Sequence, residues 1–202
     1  MEDNMKDRAL INEAIDYMAG LLGGNSGGHD ADHSMRVYEN AMKIAAEEPV
    51  CDLTVIALAS ILHDVDDHKL FDSKDNDNAR RFLTSKAVPE VKIEEICRVI
   101  NSVSFSQNRG KTPETLEGKI VQDADRLDAL GAIGIARTFA YGGEHGRSID
   151  DSVRHFYDKL LLIKDELNTD AAKAIAVKRH EFLEAFIAEL KEELQIYIIQ
   201  KL

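Results

Sequence analysis

The chain lacks tryptophan and carries only three prolines, two cysteines and 6% aromatic residues in 202. So few prolines leave long stretches free for uninterrupted helices, because proline removes a donor from the helical ladder and clashes with the preceding turn. The cysteines, Cys51 and Cys97, have no Cys-x-x-Cys partner and fall within apolar helical patterns. That excludes a thiolate metal site and predicts two buried free thiols, as a reducing cytoplasm permits. The longest strongly apolar run, Val55 to Leu62, is far short of the roughly 20 residues a membrane span requires. The opening residues Met1-Glu2-Asp3-Asn4-Met5-Lys6-Asp7 lack the apolar centre of a signal peptide, so a cytoplasmic location is expected. Basic blocks are absent as well, and the net charge is −12. Such a field repels long nucleic acids and anionic membranes, which excludes both as expected partners. A small phosphorylated molecule stays accessible, since a cation and a few Arg or Lys residues can meet its charge locally.

What is present is an ordinary globular balance, 44% hydrophobic and 31% charged. It suffices for one core, or one core with a helical extension. Leu10, Ile11, Ala14, Ile15, Met18, Leu21 and Leu22 follow helical spacing over Lys6 to Leu22, and the run Gly23-Gly24-Asn25-Ser26-Gly27-Gly28 stops that helix. A second helix is predicted from about Asp30 to Glu47, ended by Pro49. A third runs from Leu53 to Asp64, capped by Asp52. The third is apolar on nearly all sides and should be central and buried. An acidic loop follows from Val65 to Asp75. Further helices are predicted at about 76–86, 90–103, 113–129, 131–141, 149–167 and 170–199. Pro89 and Pro113 sit where helices begin, with Thr112 as a cap before Pro113. No stretch alternates convincingly as a strand, although a short strand pair would fit near 103–112. The fold class is therefore all-α. The last helix, long, amphipathic and charged, either wraps the core or forms a contact in a homodimer.

Three segments could carry chemistry. His63-Asp64 ends the apolar helix and opens the loop Val65-Asp66-Asp67-His68. An ionised carboxylate delivered from a core is costly unless a partner or a cation meets it. Adjacent helical residues point about 100° apart, so shared coordination demands the helix end and ligands from other helices. The alternative is a capped helix end with a hydrogen-bonded His–Asp pair. Upstream, His29 and His33 are spaced to share a helical face, but without the Glu of the zinc-protease motif; the glycines before them mark a close backbone approach or simply a turn. Downstream, in Lys119-Ile120-Val121-Gln122-Asp123-Ala124-Asp125-Arg126-Leu127-Asp128, the carboxylates Asp125 and Asp128 lie beside a buried stripe of Ile120, Ala124 and Leu127. Here the alternative is an Asp–Arg network on the surface.

The order His33, His63-Asp64, Asp125 resembles the HD-domain superfamily of metal-dependent phosphohydrolases, and the stretch Lys119–Gly143 is similar to the small bacterial HD-domain hydrolases. The resemblance covers most of the chain. It implies a single all-helical HD domain over 1–202, a multi-helix bundle with the metal site between central helices, a core at about 28–130 and additional helices at about 131–200. By matching position, His33 (before Ser34-Met35-Arg36-Val37), His63, Asp64 and Asp125 would be the metal ligands. Two imidazoles and two carboxylates suit Mn, Fe, Co, Ni, Mg or Zn alike. Asp67 stands where several family members place an acid that orients the attacking water, and His29, Arg36, Lys69 and Arg137 are candidate phosphate contacts, each with a surface salt bridge as its alternative. Where guanosine-tetraphosphate hydrolases have Glu-Asp this chain has Asp67-His68, and it lacks the Gly-Tyr-Pro signature of the cyclic-dinucleotide branch. The resemblance thus implies a phosphohydrolase acting on a small phosphorylated metabolite, foremost a nucleoside mono-, di- or triphosphate. The alternatives are a non-catalytic metal-containing module that senses nucleotides or binds a partner, and a purely structural helical protein without metal.

Overall fold

A computed structural model of the chain describes residues 2–23, 30–48, 50–68 and 70–199. Among these residues the regular structure is helical throughout. The chain divides into two compact units, Met1–Asp125 and Arg126–Leu202.

The first unit is built around α3 (Leu53–Leu62), against which α1 (Glu2–Leu22), α2 (Ala31–Ala45) and α5 (Glu90–Asn101) pack. Eight consecutive residues of α3, Val55 through Leu62, are buried. This follows from the sequence: a helix with no polar stripe must be enclosed, and its neighbours supply the amphipathic walls. Met18 and Leu22 of α1, Val37, Ala41 and Ile44 of α2, and Ile93, Ile96 and Cys97 of α5 are all buried. Asp52 caps α3 as expected, its Oδ1 accepting from Thr54 N and Val55 N at 3.0 Å. Burial opposes ionisation of Asp52, but these bonds and the Lys92 ammonium at 2.7 Å outweigh it and hold the carboxyl below its ordinary range.

As the lack of strand alternation implies, residues 103–112 form no strand pair; they contain a short helix, α6 (Phe105–Asn108). Three expectations need correction. The following helix, α7 (Leu116–Asp128), starts after Pro113, so Thr112 is not its cap; Thr115 takes that place, its Oγ1 accepting from Gly118 N at 3.1 Å. Gly118 is required there, because a Cβ would sit 2.8 Å from the Pro113 Cβ. Cys97 is buried, but Cys51 is only half-buried; both thiols are free. His63 and Asp64 lie in the turn beyond α3 rather than in its last helical turn. Pro49 lies outside the described residues, and α2 ends before it, at Ala45. Between α3 and α5 lies α4 (Asp77–Ser85), packed on α5.

In the second unit α8 (Gly131–Glu144) packs against α9 (Ile149–Asp158) and α10 (Asp170–Ile199). The predicted helix over 149–167 is instead α9 followed by a 3-10 segment, Leu160–Glu166. Phe139, Phe156 and Phe186 join these helices with ring centroids 5.9–6.3 Å apart. Gly131 opens α8 at φ +71, a left-handed conformation in which a side chain would be strained and would also press on Arg179 at 3.2 Å. No helix among the described residues is long and apolar enough to cross a membrane.

Candidate metal centre

Each of the four residues that open this site is delivered by a helix terminus or a helix face of the first unit. Asp30 caps α2 and accepts from His33 N at 2.6 Å, which sets His33 in the first turn. The apolar face of α2 then buries His33, leaving it 3% exposed. His63 is the residue at which α3 ends, and Asp64 follows in the turn. Asp125 comes from α7, where Gln122, one turn earlier, donates to the carbonyls of Ser102 at 2.8 Å and Lys111 at 3.3 Å.

These residues converge. His63 Nδ1 lies 2.8 Å from the Ser60 carbonyl, an acceptor only, so Nδ1 carries a proton and, in the neutral ring, Nε2 is the nitrogen left with a lone pair. That Nε2 faces His33 Nε2 at 3.4 Å. Asp64 Oδ2 is 3.5 Å from His63 Nε2 and 3.6 Å from His33 Nε2. Asp125 Oδ1 is 3.3 Å from His33 Nε2 and 3.9 Å from His63 Nε2. His33, His63 and Asp64 each offer one donor atom within 4.8 Å of the others. The two imidazole rings meet edge-on, at 71°.

The donor set itself tests whether a cation fits. Two ring nitrogens lie within 3.9 Å of two carboxylate oxygens, and lone pairs so close together need protons or a cation between them. Burial opposes ionisation of Asp125, but the His33 hydrogen bond and the charge of both imidazoles outweigh it, so its carboxyl is held below the usual aspartate range; Asp64 pushes the other way. Imidazole nitrogens with carboxylate oxygens, and no thiolate, suit a divalent first-row metal or magnesium.

The remaining sequence candidates are distributed as follows. Asp67 begins a second tight turn, its N–H donating to the Asp64 carbonyl at 3.1 Å, and its side chain is 15% exposed with Oδ1 3.9 Å from His68 Nδ1. Arg36 lies on α2 one helical turn beyond His33 and is half-buried. His29 and Lys69 lie outside the described residues. Arg137 belongs to the second unit, where its guanidinium is 2.5 Å from the buried Asp128 carboxylate. Asp128 is therefore not part of a surface network: it is 2% exposed, as is Arg126. Arg126 donates to the Glu166 carbonyl, and Arg179 Nη1 to the Leu127 carbonyl at 2.6 Å. An alternation of charges at 123–128 signals burial only through the residues that come to meet them from far along the chain. Two further residues escaped the sequence reading, Asp66 and Asn78, whose hydrogen bonds join the turn after Asp64 to α4.

The chain is similar in sequence and fold to known proteins. The family model described as HD domain matches residues 30–130. YpgQ of Bacillus subtilis (strain 168) is 35% identical over 199 residues, covering 94% of this chain and 96% of YpgQ. A crystal structure of YpgQ in complex with ADP superposes with a TM-score of 0.81 at 32% identity, covering 93% of this chain and 96% of that one. The Lin1889 protein of Listeria innocua reaches 0.77 at 39% identity, over 94% and 98% of the two chains. A protein of Bacillus thuringiensis described as an HD-superfamily hydrolase gives 0.77 at 36% identity, over the same shares.

Proposed function

The chain belongs to the HD-domain family, and from that premise we propose that it is a metal-dependent phosphohydrolase acting on a small phosphorylated metabolite, foremost a nucleotide. The observation that carries the reading is the convergence of His33 Nε2, His63 Nε2, Asp64 Oδ2 and Asp125 Oδ1, with neighbouring separations of 3.3–3.9 Å. These four residues would hold the divalent cation. When bound, such a cation lowers the pKa of water and offsets charge on a phosphoryl oxygen. Asp67, one tight turn beyond Asp64, accepts a proton from the attacking water as its oxygen bonds to phosphorus and the bond from phosphorus to the leaving oxygen breaks. Arg36 on the helix of His33, with His29 and Lys69, meets the phosphate charge. The preference for a nucleotide is supported by the ADP in the YpgQ crystal structure.

The test is a hydrolysis screen of nucleoside mono-, di- and triphosphates with Mn, Mg, Co, Ni, Fe and Zn supplied in turn, following both phosphate and pyrophosphate. Turnover that chelation abolishes supports the enzyme. Tight cation binding without turnover of any phosphoester supports instead a module that senses nucleotides or binds a partner. A folded protein that takes up no metal refutes both.

A further inference from the structure

We propose that Asp66 and Asn78 are positioning residues of the metal centre: they form a latch that fixes the turn bearing Asp64 and Asp67 against the first turn of α4. The inference rests on the metal-binding reading of the site and adds two residues to it that touch neither metal nor substrate.

The first turn of a helix has amide donors with no partner inside the helix, and a side chain at the N-cap ordinarily satisfies them. The N-cap of α4, Asn76, makes no such bond. Its side chain donates to Asn101 Oδ1 at 3.0 Å instead. The amides of Asn78 and Ala79 donate to Asp66, at 2.9 Å to Oδ1 and 3.0 Å to Oδ2. The cap of α4 thus comes from the residue between Val65 and Asp67, and a carboxylate is the favoured charge at that helix end. The exchange is reciprocal, because Asn78 Nδ2 donates to the Val65 carbonyl at 2.8 Å. Asn78 is itself braced by α1: its carbonyl accepts from Tyr17 Oη at 3.0 Å, and the Tyr17 ring stacks on Phe82 of α4 at 4.8 Å.

A local cap would have been simple to build, since Asp75, Asn76 and Asp77 are all of capping type. Instead Asp75 and Asn76 take positive φ angles of 54 and 58. Left-handed backbone is uncommon outside glycine, although Asp and Asn adopt it more readily than other residues. Here that conformation leaves the start of α4 open to Asp66. The consequence is that the backbone on both sides of Asp66 is immobilised, one residue from Asp67 and two from Asp64, so both carboxylates leave a fixed frame. Loss of groups that orient metal ligands typically weakens metal binding 10–100-fold.

The experiment compares wild type with Asp66→Ala, Asn78→Ala and Asp66→Asn, using Ser148→Ala as a control. Ser148 caps α9 in the second unit, accepting from Asp151 N at 3.1 Å, so it removes a cap of the same kind away from the latch. Mn2+ affinity is read by titration calorimetry, and amide hydrogen exchange is read in metal-free protein. Expected are a ~10–100-fold loss of Mn2+ affinity in both alanine variants and faster exchange confined to 63–68 and the start of α4. Asp66→Asn, which keeps one acceptor oxygen, should be intermediate, and it carries the test if the alanine variants fail to fold. Ser148→Ala should bind Mn2+ like wild type. Unchanged Mn2+ affinity and unchanged exchange at 63–68 would overturn the latch. A wild type that takes up none of Mn, Mg, Co, Ni, Fe and Zn refutes the metal reading instead, and the exchange measurement then decides the latch by itself.

Discussion

Neutralising Asp64 should have opposite consequences with and without a divalent cation. In metal-free protein the Asp64 and Asp125 carboxylates both lie within 4.0 Å of His33 Nε2, at 3.6 and 3.3 Å, and Asp64 opposes the ionisation of Asp125. Replacing Asp64 by Asn removes one of two close negative charges while keeping the size of the side chain. In chelator, Asp64→Asn should therefore melt at or above the wild-type temperature. With cation at a hundredfold excess over its dissociation constant, binding stabilises the native state by about 2.7 kcal/mol. For a chain of this length that raises the melting temperature by roughly 5–10 °C. Asp64→Asn, short of one anionic donor, should gain less than about a third of that shift. The assay is thermal unfolding followed by circular dichroism, in EDTA and in each of Mn, Mg, Co, Ni, Fe and Zn. If the wild type shows no shift with any of them while Asp64→Asn is destabilised in EDTA, the reasoning is refuted. His63 and Asp64 would then be a hydrogen-bonded pair closing α3, the simpler arrangement that the sequence also allowed.

Three further outcomes follow from other parts of the chain. Asp67→Asn should retain Mn2+ affinity within about threefold yet lose roughly 10²–10⁴ in turnover, the usual contribution of a positioned acid or base; wild-type turnover would remove Asp67 from the mechanism. Leu62→Ala empties a fully buried position next to His63 in the chain, and should cost about 2–5 kcal/mol in urea unfolding. Asp52→Ala deprives Thr54 N and Val55 N of their acceptor, and should cost about 0.5–2 kcal/mol at pH 7. The Asp52 carboxyl is held below its ordinary range in the folded protein, so its stabilising effect is present above about pH 4 and fades as the pH falls through the folded value. The gap between wild type and Asp52→Ala should accordingly narrow in melts taken from pH 4 down to pH 2, and a gap that widens would contradict the sign.

Local patterns carried far into this structure. The enclosure of α3 could be read from its composition, because a helix apolar on every side has no other place to go. The Asp52 cap, the start of α4 after the acidic loop and the long α10 were legible for the same reason: the signals sit within a few residues of their effects. Where the reading failed, the deciding contact was less direct. Thr112-Pro113 has the form of a helix start, yet Thr115, with Gly118 packed on Pro113, begins α7 later. The residues 160–166 keep helical periodicity but wind as a 3-10 segment. Asp128 and Arg126 have the look of surface charges, and become buried because Arg137 and Glu166 reach them.

The sequence by itself determined that the chain is helical and that α3 lies at the centre of its unit, and its resemblance to the HD-domain superfamily singled out His33, His63, Asp64 and Asp125 as the donors to examine. Hydrophobic periodicity and residue order are local or linear properties, so they survive without coordinates. Tertiary structure alone decided that the Asp64 and Asp125 carboxylates each approach the two ring nitrogens to 3.3–3.9 Å. It alone decided that the Ser60 carbonyl selects the His63 tautomer and that Asp66, not a residue of α4, closes the end of that helix. Each of these depends on distances between segments far apart in the chain or on the precise path of a turn, and those are fixed only when the helices pack.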